Sequence, residues 1–436
     1  MEGVIATEAE QVGKTAQRDR LIALFRESVR AVSPEVAMPR KIPHSPHGRT
    51  VVIAVGKAAA EMMRVAQDRA EQPLKGLVVT RHGHLPEPAP TWRDVEIIEA
   101  GHPYPDENSL VAAERALAIA TRLEAGDNLL LLLSGGGSAL LAAPAPGLSL
   151  TDKQQITRAL LQSGATIEEI NCVRKHLSRV KGGRLAVAAG AAHVTTWIIS
   201  DIPGDDPSFV SSGPTVADLT SLSDARDIVA KYGIEPSAQI AAALNDPANE
   251  TPAADALGIA GGETQIIAKA RDALAAVQAM AGAQGYQVTN LGDQLQAEAR
   301  HLGASHAALA RRMAKDGTAR VIISGGETTV TVTNKAGRGG RNLEYLLGLA
   351  IALNGEPGIF AISCDTDGID GTDDAAGATI APDTLARAQA AGLVPAEYLA
   401  SNNAYSFFEK LGDLVITGPT LTNVNDFRAI LIDPTA

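Results

Sequence analysis

The residues best suited to chemistry sit where short apolar runs break. The run Val51–Val55 ends in Gly56-Lys57. A lysine there, with helix N–H groups beside it, is a natural partner for a nucleotide phosphate. A second run, Leu129–Leu133, ends in Ser134-Gly135-Gly136-Gly137-Ser138. Three consecutive glycines let a backbone approach an anion closely and cost entropy that a plain turn does not require. That loop reads as a phosphate cradle, with Ser138 placed to cap the next helix.

Sharper still is Ala336-Gly337-Arg338-Gly339-Gly340-Arg341-Asn342, where two arginines alternate with three glycines just before a helical pattern. Such a segment makes an anion nest that carries full charges. Acids occupy other breaks. Ser200-Asp201 opens the loop Ile202-Pro203-Gly204-Asp205-Asp206, and Asp365-Thr366-Asp367-Gly368-Ile369-Asp370-Gly371 follows Ser363-Cys364. Carboxylates gathered near phosphate-binding arginines suit magnesium coordination and deprotonation of an attacking hydroxyl. A purely structural Asx-rich turn accounts for the second stretch equally well.

Other patterns carry less. Gly56-Lys57 is not a P-loop, because Val51 stands where that motif's first glycine belongs, and the triple-glycine loop has Leu140 at the third small position of the dinucleotide fingerprint. The calcium-loop likeness of Asp365–Gly371 fails on its glycine offset. Gly13-Lys14-Thr15 imitates the end of a Walker A segment, but Glu8 replaces its first glycine. His82 and His84 lack a third ligand at useful spacing, so a turn or substrate contact is the better reading. The basic run Arg174, Lys175, Ser178, Arg179, Lys181 reads first as a solvated helix side, with Arg174 the member able to reach an anion.

The elements that must hold these residues alternate in type. Strands are expected at Val51–Val55, Leu77–Thr80, Val95–Ile98, Leu129–Leu133 and Val194–Ser200. Helices are expected at Arg18–Ala31, Ala58–Asp68, Asp106–Leu123 and from Thr151 to Lys181, closed by Gly182-Gly183. Strands alternating with helices imply a doubly wound parallel sheet, which binds ligands at the carboxyl ends of its strands. The segment 217–261, richer in Asp, Asn, Pro and Ala, marks a boundary near residue 250. Beyond it the pattern restarts, with helices over Ala268–Ala283, Leu295–Ala314 and from Arg341, and strands over Val321–Ser324, Thr328–Thr333 and Ile359–Ser363.

Bulk properties agree with a two-domain enzyme divided at 1–250 and 251–436. The chain has 436 residues, only 3% aromatics and 41 glycines, so its cores must be aliphatic, as buried parallel sheets require. A net charge of −12 argues against nucleic acid or an anionic membrane as partner. Two unclustered cysteines, Cys172 and Cys364, offer neither a disulfide framework nor a zinc site, and fit a reducing cytoplasm. Residues Met1–Arg30 show no secretory-signal pattern, and no apolar run is long enough to span a bilayer.

Taken in order, these pieces resemble one family. Val55-Gly56-Lys57-Ala58, the triple-glycine loop, Asn171-Cys172-Val173-Arg174-Lys175-His176-Leu177-Ser178, Lys181-Gly182-Gly183, and Ser200-Asp201 with Ser212-Gly213-Pro214-Thr215 look like the N-terminal domain of class II glycerate kinases. Gly325-Gly326-Glu327-Thr328, Gly339-Gly340-Arg341-Asn342, Thr366–Gly371, and Thr417-Gly418-Pro419-Thr420 with Asn423-Val424-Asn425-Asp426 look like the C-terminal MOFRL domain. The resemblance implies a Rossmann-like three-layer N-terminal domain, a smaller C-terminal α/β domain with a mixed sheet, and an active site between them. It implies ATP- and Mg2+-dependent phosphorylation of D-glycerate to 2-phosphoglycerate. It puts the catalytic lysine at Lys57, the catalytic arginine at Arg341, and aspartates for base or metal duty at Asp201 and Asp367. Phosphate binding falls to Ser134, Gly135, Gly136, Gly137 and Ser138, and the substrate carboxylate to Arg338 or Arg174. Leu343 after Arg341-Asn342, and Ala404 in Asn402-Asn403-Ala404-Tyr405, depart from the family pattern and bear on substrate preference. The competing expectations are an NAD(P)H-dependent hydroxypyruvate reductase and a non-catalytic phosphometabolite-binding protein; a homodimer is compatible with each.

Overall fold

Two strands of the first unit, Thr50–Val55 and Asn128–Leu133, are nearly continuous β-branched and leucine runs, and such runs are stable only when both sheet faces are covered. The structure, a computed structural model, describes residues 8–45, 47–253, 263–371 and 373–434, with side chains from Thr15 onward. It separates into two compact units, Pro34–Ala268 and the described residues up to Ser33 together with those from Lys269 on. The grouping therefore differs from a single cut at residue 250. Residues 254–262 of the expected boundary segment lie outside the described residues.

In the Pro34–Ala268 unit the strands are β1 (Thr50–Val55), β2 (Lys75–Arg81), β3 (Val95–Ala100), β4 (Asn128–Leu133), β5 (His193–Ile199) and β6 (Glu263–Ala268). They lie in the order β3-β2-β1-β4-β5-β6, and every neighbouring pair is parallel. This is the strand order of dinucleotide-binding folds, with the chain reversing direction between β1 and β4. The central strands are buried along their length. On one face Ile53, Val55, Leu129, Leu131 and Leu133 pack against Ala112, Ala113 and Ala116 of the helix Glu107–Ala120. Asp106 caps that helix, its side chain accepting from the Ser109 amide. β6 escaped expectation because Glu263, Thr264 and Gln265 are exposed polar residues on an edge strand.

Two expectations here are corrected. The helical stretch after Thr151 breaks at Gly164, whose φ of 79° no helix accepts, giving Leu150–Gln162 and Ile167–His176. Gly182-Gly183 does not close it; both glycines are left-handed and lead into the helix Arg184–Ala188.

The other unit holds a mixed sheet of β7 (Gln287–Asn290), β8 (Arg320–Ser324), β9 (Ile359–Asp365), β10 (Gly377–Ile380), β11 (Leu414–Val415) and β12 (Asp426–Ile432). Their order is β11-β10-β9-β12-β8-β7, parallel only between β7 and β8. Thr328–Thr333 is not a strand; only isolated bridges link Gly326 to Leu295 and Thr329 to Glu298. Alternation along β12 explains why the N-terminal helix belongs to this unit. Ile430 and Ile432 face the helix Arg341–Leu353, whereas Ala429 and Leu431 face Leu21, Leu24 and Phe25 of the helix Glu8–Ala31. Leu274, Val277 and Ala281 of the helix Ala270–Ala283 share the cover of this face with that helix. The Walker-like Gly13-Lys14-Thr15 lies within it, which removes the strand-to-helix loop a phosphate site needs.

Phe25 is 1% exposed against β9 and β12, so Phe25→Ala should destabilise the chain by about 3–5 kcal/mol. Hydrogen exchange should rise in β9 and β12 while β1 and β4 keep their protection; equal loss in both sheets would contradict the two-unit division.

Candidate active site

Parallel strands leave their carboxyl ends on one edge of the sheet, and three of the expected segments meet there. Lys57 follows β1, the triple-glycine loop follows β4, and Asp201 follows β5. The first two are stitched together. The Lys57 amide donates to the Gly135 carbonyl at 2.9 Å, the Ser134 amide to the Val55 carbonyl at 2.9 Å, and the Ala58 amide to the Ser134 hydroxyl at 3.0 Å. So close is the approach that a side chain at Gly56, which has φ 124°, would strike the Ser134 hydroxyl and carbonyl. Ser134 itself is fully buried, and its hydroxyl positions the start of the Lys57 helix. Gly136 and Ser138 are the members of the loop that stay partly exposed.

A second turn leans on this loop. Ser211 and Ser212 both hold left-handed backbone, with φ of 54° and 60°, which for residues other than glycine stores strain of about 1–3 kcal/mol each. The Ser212 hydroxyl lies 2.8 Å from that of Ser138 and donates to the Asn171 side-chain oxygen at 3.0 Å. Lys181, almost fully buried, donates to the carbonyls of Ser138 at 2.9 Å and Ser211 at 3.4 Å. Sequence reasoning quoted Lys181 but gave it no task; a lysine followed by two glycines carries no sign that it will be buried.

Arg341 organises the mixed-sheet unit. β9 and β12 run antiparallel in a register that sets Asp365 directly opposite Asp426. Two facing carboxylates repel each other unless a cation joins them. The Arg341 guanidinium does so, its Nη2 donating to Asp365 Oδ2 at 3.1 Å and to Asp426 Oδ1 at 3.2 Å, while Nη1 pairs with Glu327. Burial opposes the charge on Arg341, but Asp426, Asp365 and Glu327 more than offset this and hold it firmly protonated. Asp426 is fully buried and also accepts from Arg428 and from the Asn342 side chain. Arg428 in turn donates to the Gly325 carbonyl at 3.0 Å and lies over the Tyr345 ring.

The helix that begins at Arg341 is pinned by Asp370. Its carboxylate accepts from the Asn342 amide at 3.0 Å and the Leu343 amide at 2.9 Å, replacing a cap that Gly340 cannot supply. Any side chain at Gly340 would collide with that carboxylate. Burial pushes Asp370 up to about 6, against the pull of those two backbone donors.

Asp367 is 1% exposed, and its Oδ1 accepts from the Ile369 amide at 2.8 Å, while Asp365 Oδ1 accepts from the Asp367 amide at 3.1 Å. The Asx-turn reading is thus realised, with the carboxylates held in place by their own loop. Arg338, by contrast, is exposed. It pairs with Asp373 at 2.9 Å and Glu409 at 3.3 Å and stacks over Tyr405 at 4.0 Å. Among the described residues no cluster of three or more His, Cys, Asp or Glu is arranged to hold a metal ion. Magnesium does not require one, since it commonly binds through one or two carboxylates plus phosphate oxygens and water. Glu327, Asp426 and Arg428 had no assigned role in the sequence reading, and Asp370 was grouped only with the carboxylates of its own loop, because only antiparallel register and helix capping bring them to Arg341.

Comparison with known proteins follows this geometry. Residues 20–245 match a domain of unknown function, DUF4147, and residues 320–426 match the MOFRL family. A relative from Agrobacterium vitis, provisionally named a hydroxypyruvate reductase, is 49% identical over 95% of this chain and 94% of its own length. The D-glycerate 2-kinase of Thermotoga maritima is 40% identical over 94% of this chain and 97% of its own. A crystal structure of glycerate kinase from the same organism superposes with a TM-score of 0.85 at 38% identity, covering 96% of this chain and 100% of that one.

Asp370 offers a stability test. A carboxyl raised from 3.8 to about 6 contributes stability that is complete below the unfolded value and lost as pH rises through about 6. An Asp370→Asn variant lacks this dependence, so its melting temperature relative to wild type should improve steadily from pH 4 to pH 7. A pH-independent difference would contradict the buried carboxyl.

Proposed function

The chain belongs to the MOFRL family, and from that membership we propose that it is a glycerate 2-kinase, transferring the terminal phosphoryl group of ATP to the 2-hydroxyl of D-glycerate. The observation that carries this reading is the Arg341 guanidinium, locked between Asp365 and Asp426 at the carboxyl end of β9. An arginine fixed by two buried acids undergoes little reorganisation when charge develops on a transferring phosphoryl group.

In this reading Gly135, Gly136, Gly137 and Ser138 cradle the ATP phosphates, with Ser134 holding the loop against the Lys57 helix. Lys57 and Arg341 stabilise the transferring group. Asp201 and Asp367 divide two duties, orienting the acceptor hydroxyl and meeting the magnesium ion that accompanies the nucleotide. Bound magnesium would offset phosphate charge. The acceptor carboxylate goes to Arg174 or Arg338. Phosphoryl transfer asks mainly for positioning and charge, which suits a site without a strong nucleophile.

Lys57→Ala and Arg341→Ala should each lower turnover by about 10²–10³; Lys57→Ala should leave the melting temperature near wild type, whereas Arg341→Ala should lower it because Asp365 and Asp426 lose the cation between them. A coupled ADP-release assay with D-glycerate reads this, and near-normal turnover in either variant removes that residue from the mechanism. The Agrobacterium relative's name raises hydride transfer as a second reading. Neither glycine cluster completes the G-x-G-x-x-G fingerprint that would support it. Mixing the protein with NAD(P)H and hydroxypyruvate should therefore leave absorbance at the nicotinamide band unchanged, while phosphorus NMR of the ATP reaction shows 2-phosphoglycerate. Rapid nicotinamide oxidation would reverse the order of the two readings.

A further inference from the structure

The largest fully buried side chain among the described residues is charged. It is Arg428 on β12, 1% exposed. Residues alternate along that strand, so Asp426, Arg428 and Ile430 share the face that meets the helix Arg341–Leu353. The register sets Arg428 opposite Ser324, the last residue of β8, and opposite Ser363 of β9. It therefore stands where the chain leaves β8 for the turn that carries Glu327.

Its contacts run to three supports of Arg341. Arg428 Nη2 pairs with Asp426 and donates to the Thr328 hydroxyl at 3.4 Å, and Nη1 donates to the Gly325 carbonyl at 3.0 Å. Gly325 and Thr328 bracket Glu327, so one guanidinium pins both ends of the turn whose carboxylate pairs with Arg341 Nη1. The Thr328 amide donates to Asp426 at 3.4 Å, which joins that turn to the acid. The guanidinium carbon also lies 5.2 Å from the centre of the Tyr345 ring, on the helix that Arg341 begins and on the same side of it. The Tyr345 hydroxyl is 2.8 Å from His306 Nδ1. Burial, then the Arg428 charge, push His306 down to about 4, so no second cation forms behind the ring near neutral pH.

Stability alone does not explain such a residue. Apolar side chains of similar volume commonly serve a fold as well as a buried ion pair does. Arg428 Nε is moreover buried without a hydrogen-bond partner, which is a further cost. Nor does Asp426 require it as its sole counter-charge, because Arg341 and Asn342 already bond that carboxylate. What the partners of Arg428 have in common is Arg341. We propose that Arg428 is a positioning residue for catalysis, fixing the Arg341 guanidinium through Asp426, through the Glu327 turn and through Tyr345 of the helix that Arg341 begins.

The inference rests on the phosphotransferase reading, in which Arg341 stabilises the transferring group. Such a charge must be in place before the transition state forms. Displacing it by about 1 Å costs about 10²-fold in rate. Arg428 itself meets no substrate in this scheme and acts only through Arg341.

The test uses Arg428→Met and Arg428→Lys, each alone and combined with Arg341→Ala. The readouts are kcat and the MgATP KM, taken well below the melting temperature, and nitrogen NMR relaxation of the Arg341 Nε–H group, whose signal is the one missing from Arg341→Ala. Arg428→Met should lower kcat by about 10²-fold, leave the MgATP KM near wild type and increase the motion of Arg341. Arg428→Lys keeps the charge beside Asp426 but not the fork that reaches Gly325 and Thr328, so it should fall between Arg428→Met and wild type in both readouts. Added to Arg341→Ala, either substitution should lower kcat little further, because residues that act as a unit are not additive. An arginine that serves the fold alone gives a lower melting temperature with kcat per folded molecule and Arg341 motion unchanged, or a loss that multiplies with Arg341→Ala; either result overturns the proposal. Should Arg428→Met not fold, Arg428→Lys decides, and wild-type kcat and Arg341 motion in that variant overturn it. If wild type releases no ADP with D-glycerate while Arg428→Lys still loosens Arg341, the positioning stands and the kinase reading falls. Normal wild-type turnover with Arg341 unmoved by either substitution does the opposite.

Discussion

Asp365 and Asp426 face each other across two buried strands, and Arg341 is the cation that lets them do so. Much of the mixed-sheet unit serves this contact. The antiparallel register of β9 and β12 fixes the two acids, and the helix Arg341–Leu353 must start at the sheet edge for its first residue to reach them. Asp370 supplies the cap that fixes that start, and Asn342 ties cap to acid, donating to Asp370 and Asp426 from one amide. Its own oxygen accepts from Ser363 at 2.6 Å. Removing either acid leaves a buried charge without its partner, which is far more costly than the pair is stabilising.

The parallel-sheet unit shows the reverse electrostatics. Around Arg341 there are more carboxylates than guanidinium groups, whereas the buried Lys153 and Lys181 of the parallel-sheet unit donate to the carbonyls of Leu177, Ser138 and Ser211.

Strain is distributed in the same way. The left-handed pair Ser211-Ser212 and the crowded Gly56 approach both lie beside the triple-glycine loop, and Leu421 and Asn425 hold left-handed backbone just before Asp426 in the other unit. Elsewhere the units are ordinary aliphatic cores, with alternating faces of β12 buried under two different helices. A rigid scaffold is what allows short strained turns to persist at one edge.

Strand runs such as Leu129–Leu133, the glycine and arginine clusters that follow them, and the membership implied by their order were all readable from residue types, because local periodicity and turn chemistry are local properties. So were Lys57 and Arg341 as charges placed before helices. Pairing was not readable. Nothing in the spacing of Asp365 and Asp426 says that they will stand opposite each other, nor does Lys181 before two glycines declare that it will be buried against the Ser138 and Ser211 carbonyls. The N-terminal helix was visible as a helix, but only its packing of Leu21, Leu24 and Phe25 against β9 and β12 determined which unit it joined. Register, burial and the sharing of one cation by distant acids depend on contacts between residues far apart in the chain, and those exist only once the tertiary structure has formed.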